Sequence, residues 1–81
     1  MKIEVRLFAR ARDAVGAERV TLELPAEARV GDLRAALAAD YPKLAPLAHT
    51  LLVAVGTEYA DDRSAVSPDS EIACFPPVSG G

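Results

Sequence analysis

The chain has 81 residues, 51% of them hydrophobic, and a net charge of −3, which leaves room for one small core and none for a second. Six Pro and five Gly are ordinary usage, a single Cys forbids an internal disulfide, and 12 acidic against 9 basic residues argue against a nucleic-acid partner. One His, one Cys and no Trp leave little for a self-contained enzyme, and no apolar run nears the roughly 20 residues a membrane span needs.

Residues 2–8 alternate strictly, with Ile3, Val5 and Leu7 facing one way and Lys2, Glu4 and Arg6 the other, which predicts a half-buried strand. Glu4 and Arg6 also stand where an export signal would need apolar residues, so the expectation is a cytoplasmic protein. Phe8, Ala11, Arg12 and Val15 recur at helical spacing before Gly16, predicting a short helix over 9–15 closed by a left-handed glycine. Val20, Leu22 and Leu24 alternate again in a second strand that stops at Pro25. Val30, Leu33, Leu37 and Tyr41 form the apolar stripe of the main helix, expected over 32–41 with a poor N-cap and stopped by Pro42.

A turn punctuated by Pro42 and Pro46 leads into Leu51–Val55, read as an apolar strand covered on both faces. Tyr59 and Ala60 suggest a short edge strand, and 61–70 reads as loop. Glu71–Phe75 reads as the last strand, with Ile72 and Cys74 on one face and Ala73 and Phe75 on the other. Two alternating strands at the start, with one helix to cover them, point to an α+β roll.

The ending, Pro76-Pro77-Val78-Ser79-Gly80-Gly81, is the informative segment. Two prolines fix φ and launch the chain stiffly away from the last strand. Val78 can anchor on a partner, and Ser79-Gly80-Gly81 is slender enough to thread a narrow channel. Six extended residues reach at most roughly 20 Å. The carboxylate at the tip is an anion at neutral pH and a poor electrophile until ATP adenylates it. An acyl-adenylate can then accept an amine, giving a protein conjugate, or a sulfur, giving a thiocarboxylate. In both cases the active enzyme is the partner, and this chain is the handle.

The segment Leu7-Phe8-Ala9-Arg10-Ala11-Arg12-Asp13-Ala14-Val15-Gly16 resembles the F-F-A-x-x-R-E-x-x-G stretch of molybdopterin synthase small subunits (MoaD). The ending Glu71-Ile72-Ala73-Cys74-Phe75-Pro76-Pro77-Val78-Ser79-Gly80-Gly81 is similar to their D-E-V-A-F-F-P-P-V-S-G-G. Leu7, Cys74 and Asp13 depart mildly from that pattern, at packing positions. The resemblance implies a ubiquitin-like β-grasp: a mixed sheet of about five strands on one main helix over 1–75, followed by an extended, flexible tail over 76–81. It implies a sulfur carrier in molybdenum cofactor biosynthesis that binds no cofactor itself. A MoeB-like enzyme spends ATP to adenylate Gly81, which then becomes a thiocarboxylate. A MoaE-like large subunit uses that sulfur on cyclic pyranopterin monophosphate, the two forming a heterotetramer. Gly81 and Gly80 then sit in the partner's active site, and Phe8, Arg12, Tyr59 and Phe75 match positions at the family's partner interface. The tail residues Pro76, Pro77, Val78 and Ser79 complete that binding set.

Residue patterns agree in part, since Phe75 is exposed at the root of the tail if Ile72 and Cys74 are core. Cys74 itself reads as a core thiol, His49 lacks a second ligand for a metal, and Asp61-Asp62 reads as a turn. Two other readings share the tail: a carrier for thiamin, tRNA thiolation or cysteine synthesis, and a ubiquitin-like protein modifier or interaction module. The Phe8–Gly16 segment argues against thiamin carriers, which are shorter and lack it.

Overall fold

The alternation at the start of the chain builds β1 (Lys2–Leu7), which buries Ile3, Val5 and Leu7 and exposes Lys2, Glu4 and Arg6. β2 (Arg19–Glu23) pairs antiparallel with it, Val5 opposite Val20 and Ile3 opposite Leu22. Between them lies α1 (Ala9–Val15), which ends at Gly16 with φ 81° and a hydrogen bond from its N–H to the Arg12 carbonyl, 2.7 Å. The computed structural model describes residues 1–77, so Val78, Ser79, Gly80 and Gly81 lie outside the described residues.

β5 (Ile72–Phe75) inserts between β1 and β3 (Leu52–Val55), parallel to the first and antiparallel to the second. β4 (Glu58–Ala60) forms the far edge, and the order across the sheet is β2-β1-β5-β3-β4. α2 (Val30–Asp40) covers one face and buries Val30, Leu33 and Leu37. Those residues join Ile3, Val5, Leu22, Val53, Ile72 and Cys74 in a single core. This is the ubiquitin-like β-grasp that the resemblance implies. Among the described residues no helix is long and apolar enough to cross a membrane.

Three details differ from the sequence expectation, each because of a distant segment. α2 begins at Val30, two residues early. Its first amides are held by a loop far along the chain: Val30 N–H donates to the Ser64 carbonyl (2.9 Å) and Gly31 N–H to that of Asp62 (3.0 Å). A Cβ on Gly31 would lie 3.4 Å from the Asp62 oxygen, so a small residue suits this approach. The arginine at the N-cap has no acceptor to offer, and the Asp32 carboxylate supplies one by taking the Arg29 N–H at 2.8 Å.

The proline-punctuated turn is also more regular than expected. It forms a 3₁₀ turn (Pro42–Leu44) and a one-turn helix, α3 (Ala45–Ala48), each with proline in its first turn, where the missing N–H costs nothing. Finally, β3 starts at Leu52 and is covered on one face only. Val53 is buried while Leu52 is 38% exposed, because the helices lie on a single side of the sheet.

Arg34 ties this scaffold together from α2. Its side chain is only 16% exposed; Nε donates to Asp62 Oδ1 at 2.6 Å, and Nη1 to the carbonyls of Ala48 (2.8 Å) and Leu51. Asp62 is therefore partner to a half-hidden cation. Its neighbour Asp61 closes a turn by accepting the Arg63 N–H at 2.9 Å.

Candidate functional site

Among the described residues no element packs over the outer face of the sheet, and its character changes along the strands. At one end stand Lys2, Glu4, Thr21 and Glu23, all exposed. At the other, where β5 hands over to Pro76, stand the aromatics. Phe8 continues β1 by one residue, its N–H donating to the Cys74 carbonyl at 3.2 Å, which brings it beside Phe75. Their ring centroids are 5.2 Å apart. Tyr59 meets Phe75 edge-on at 6.1 Å, and Leu52 lies directly opposite Phe75 in the β3–β5 register. Aromatic pairs of this kind contribute roughly 0.5–1.5 kcal/mol each beyond area burial.

Small residues shape the middle of the patch. The register aligns Arg6, Ala73, Ala54 and Tyr59 in one row across β1, β5, β3 and β4. The two alanines form a low floor between a cationic wall and an aromatic one. Tyr59 is 72% exposed, and with Leu52 it is one of the two large apolar residues classed as exposed among the described residues. Contiguous large apolar groups left in water on one face are typical of surfaces that bind another molecule.

The turn that presents Phe8 is strained. Ala9 has φ 51°, a left-handed conformation that a side chain disfavours by about 1–2 kcal/mol. The kink lets Phe8 complete the β1–β5 ladder while the next residue already enters α1. Local strain thus buys the position of one aromatic ring.

Phe8, Tyr59 and Phe75 come together. Arg12 does not join them: it stands on α1, its side chain 48% exposed and 3.9 Å from the Asp13 carboxylate. The cation at the cluster is Arg6, whose guanidinium carbon lies 5.3 Å from the Phe8 ring centroid. The sequence carried the signal for this, because Arg6 and Phe8 share the even-numbered face if the strand alternation runs one residue further. Pro76 is partly buried and Pro77 exposed, so the tail starts at the edge of the patch. Val78, Ser79, Gly80 and Gly81 lie outside the described residues.

Cys74, one residue before Phe75, points inward and is fully buried. Burial pushes its thiol up from 9.0 to about 12, against a weaker downward pull from the Arg34 cation. A neutral, inaccessible thiol is a core group and cannot relay sulfur. His49 ends α3 on the surface.

Comparison with known proteins places this geometry. The ThiS family matches residues 5–81. The chain is 36% identical to the molybdopterin synthase sulfur carrier subunit of Caenorhabditis briggsae over 100% of this chain and 99% of the relative. The protein of the same name from Chlamydomonas reinhardtii is also 36% identical, with both chains covered in full. Among solved structures, SAMP1 (small archaeal modifier protein 1) from Haloferax volcanii superposes with a TM-score of 0.85 at 30% identity, covering 100% of each chain.

Proposed function

The chain belongs to the ThiS family, and from its likeness to molybdopterin synthase sulfur carrier subunits we propose that it is the sulfur-carrier subunit of a molybdopterin synthase. One observation carries the reading to particular atoms: an uncovered aromatic patch on the outer sheet face lies at the root of a proline-stiffened tail ending in Gly80-Gly81. The patch docks the folded domain, and the tail then delivers its carboxylate into a partner's active site. Phe8, Tyr59 and Phe75 are the docking residues, and Arg12 on α1 is assigned to the same interface by its place in the Leu7–Gly16 motif. Pro76 and Pro77 set the tail's direction, Val78 and Ser79 seat it, and Gly80 and Gly81 pass the narrowest point.

The chemistry follows from the carboxylate. An activating enzyme transfers adenylate from ATP to the Gly81 carboxyl oxygen with loss of pyrophosphate. A sulfide-level nucleophile displaces AMP and leaves a thiocarboxylate, whose sulfur passes to cyclic pyranopterin monophosphate on the large subunit while water restores the Gly81 carboxylate. This chain contributes no cofactor and no acid–base group, only position and a soft nucleophile. The setting is the cytoplasm, and two small with two large subunits form the working assembly.

Intact mass after incubation with the activating enzyme, ATP and a sulfur donor tests the reading. The expected result is replacement of one oxygen by sulfur, mapped to Gly81. No shift under conditions that thiolate a known carrier would remove the tail's assigned role. The likeness to SAMP1 favours a second reading, in which the same activated tail is joined to lysines. A ladder of conjugates, formed only with Gly81 intact, would identify that use.

A further inference from the structure

The outer face holds a local conflict that the docking reading by itself does not explain. Arg6 of β1 lies directly opposite Arg19 of β2, so two like charges face each other across an antiparallel pair. Like charges directly opposite one another in a sheet destabilise it. Only Arg19 is compensated, by Glu4 at 3.5 Å. Glu4, Asp69 and Glu71 line the same recess as the two arginines. Among the described residues, no carboxylate comes within 4.0 Å of the Arg6 guanidinium. That group instead rests over Phe8, and through Phe8 it joins the row of rings that continues to Phe75 and Tyr59.

The charge distribution runs the same way. The first twenty residues, which form β1, α1 and the start of β2 beside the patch, carry five basic residues against three acidic ones; the whole chain carries nine against twelve. The stretch of chain beside the patch is therefore net basic on an acidic molecule, a polarity that favours an acidic surface over a second copy of this chain.

We infer that Arg6 is a specificity residue of the docking face, reserved for a carboxylate that the protein partner places at the rim of the apolar recess receiving Phe75 and Tyr59. The inference rests on the docking reading above and adds the chemistry of the partner. The cation–π contact with Phe8, 5.3 Å from guanidinium carbon to ring centroid, restrains the side chain before the encounter, so less rotamer freedom is lost on binding. The like-charge conflict with Arg19 is relieved when the partner's anion arrives. Stability of the free chain is given up for a charge that finds its partner only in the complex.

Affinity for the molybdopterin synthase large subunit, measured by calorimetry at three salt concentrations, tests this with R6A, R6K, R6E and F75A. R6A should weaken binding about tenfold, and R6E about a hundredfold. R6A should also flatten the salt dependence, while R6K restores that dependence with only part of the affinity. Thermal unfolding of the free chains supplies the readout that a structural role would not produce. R6E places Glu opposite Arg19 and should raise Tm by roughly 1–3 °C while binding worst. If F75A fails to bind but R6E binds like the wild type, the docking face stands and Arg6 has no part in it. If F75A and R6E both bind like the wild type, the docking reading falls too. If R6A and R6E bind poorly and both lower Tm, Arg6 is a structural residue and the inference is overturned.

Discussion

The two faces of one sheet obey different rules. On the inner face Ile3, Val5, Leu22, Val53, Ile72 and Cys74 are all at most 1% exposed and pack into a single core with Leu33 and Leu37. On the outer face, Leu52 and Tyr59 keep 38% and 72% of their surface in water, although they are as apolar as many residues inside. No described residue covers them. Threonine or lysine would serve stability alone there, so the outer apolar side chains fit the proposed docking role, whereas the inner ones hold the core.

Substitution on each face separates the two roles. Leu37→Ala removes a fully buried side chain and should cost about 2–5 kcal/mol, which chemical denaturation would register as a large drop in midpoint. Affinity measured on whatever fraction remains folded should be unchanged. Phe75→Ala should do the reverse: about 1 kcal/mol of stability from lost ring contacts, with docking to the large subunit weakened roughly a hundredfold. Equal stability losses from the two variants would erase the distinction.

Cys74 sharpens the inner side through pH. Its thiol ionises at 9.0 in ordinary surroundings and at about 12 in the fold. Above pH 9 the unfolded chain gives up that proton while the folded chain keeps it, so rising pH favours unfolding through that window. Below pH 9 the contribution is fully present. Melting curves from pH 7 to 11 should show the wild type losing stability more steeply than Cys74→Ala. Parallel curves would mean the thiol is not held neutral.

The smallest effect expected is at Ala9, on the outer side. Glycine accepts φ 51° without a Cβ clash, so Ala9→Gly should stabilise the free chain by about 0.5–1 kcal/mol. A lower melting temperature for this variant would show that the turn is not strained.

Much of the scaffold was legible because its signals are local. Alternation in 2–8 and 20–24, the stripe from Val30 to Tyr41, and Gly16 as a helix stop each arise from neighbours a few residues apart, and each predicted element is present. The pairing of Ile72 with Cys74 on the buried face was legible for the same reason. The Gly-Gly ending, with its paired prolines, was plain from residue type alone.

Only the tertiary structure decided which charged residues matter. Arg34 reads as one more helical arginine, yet it is bonded to Asp62 and to the carbonyls of Ala48 and Leu51, segments 14 to 28 residues away. Arg12 is the arginine of the Leu7–Gly16 motif, but Arg6 is the cation on the ring, because a strand register and not a helical turn brings it there. The start of α2 depends on carbonyls from Ser64 and Asp62 that no local window contains. Sequence determined which residues avoid water and how the backbone would satisfy itself nearby. Long-range closure of the sheet, with β5 placed between β1 and β3, determined which polar groups are shielded, which are paired, and which remain for a partner.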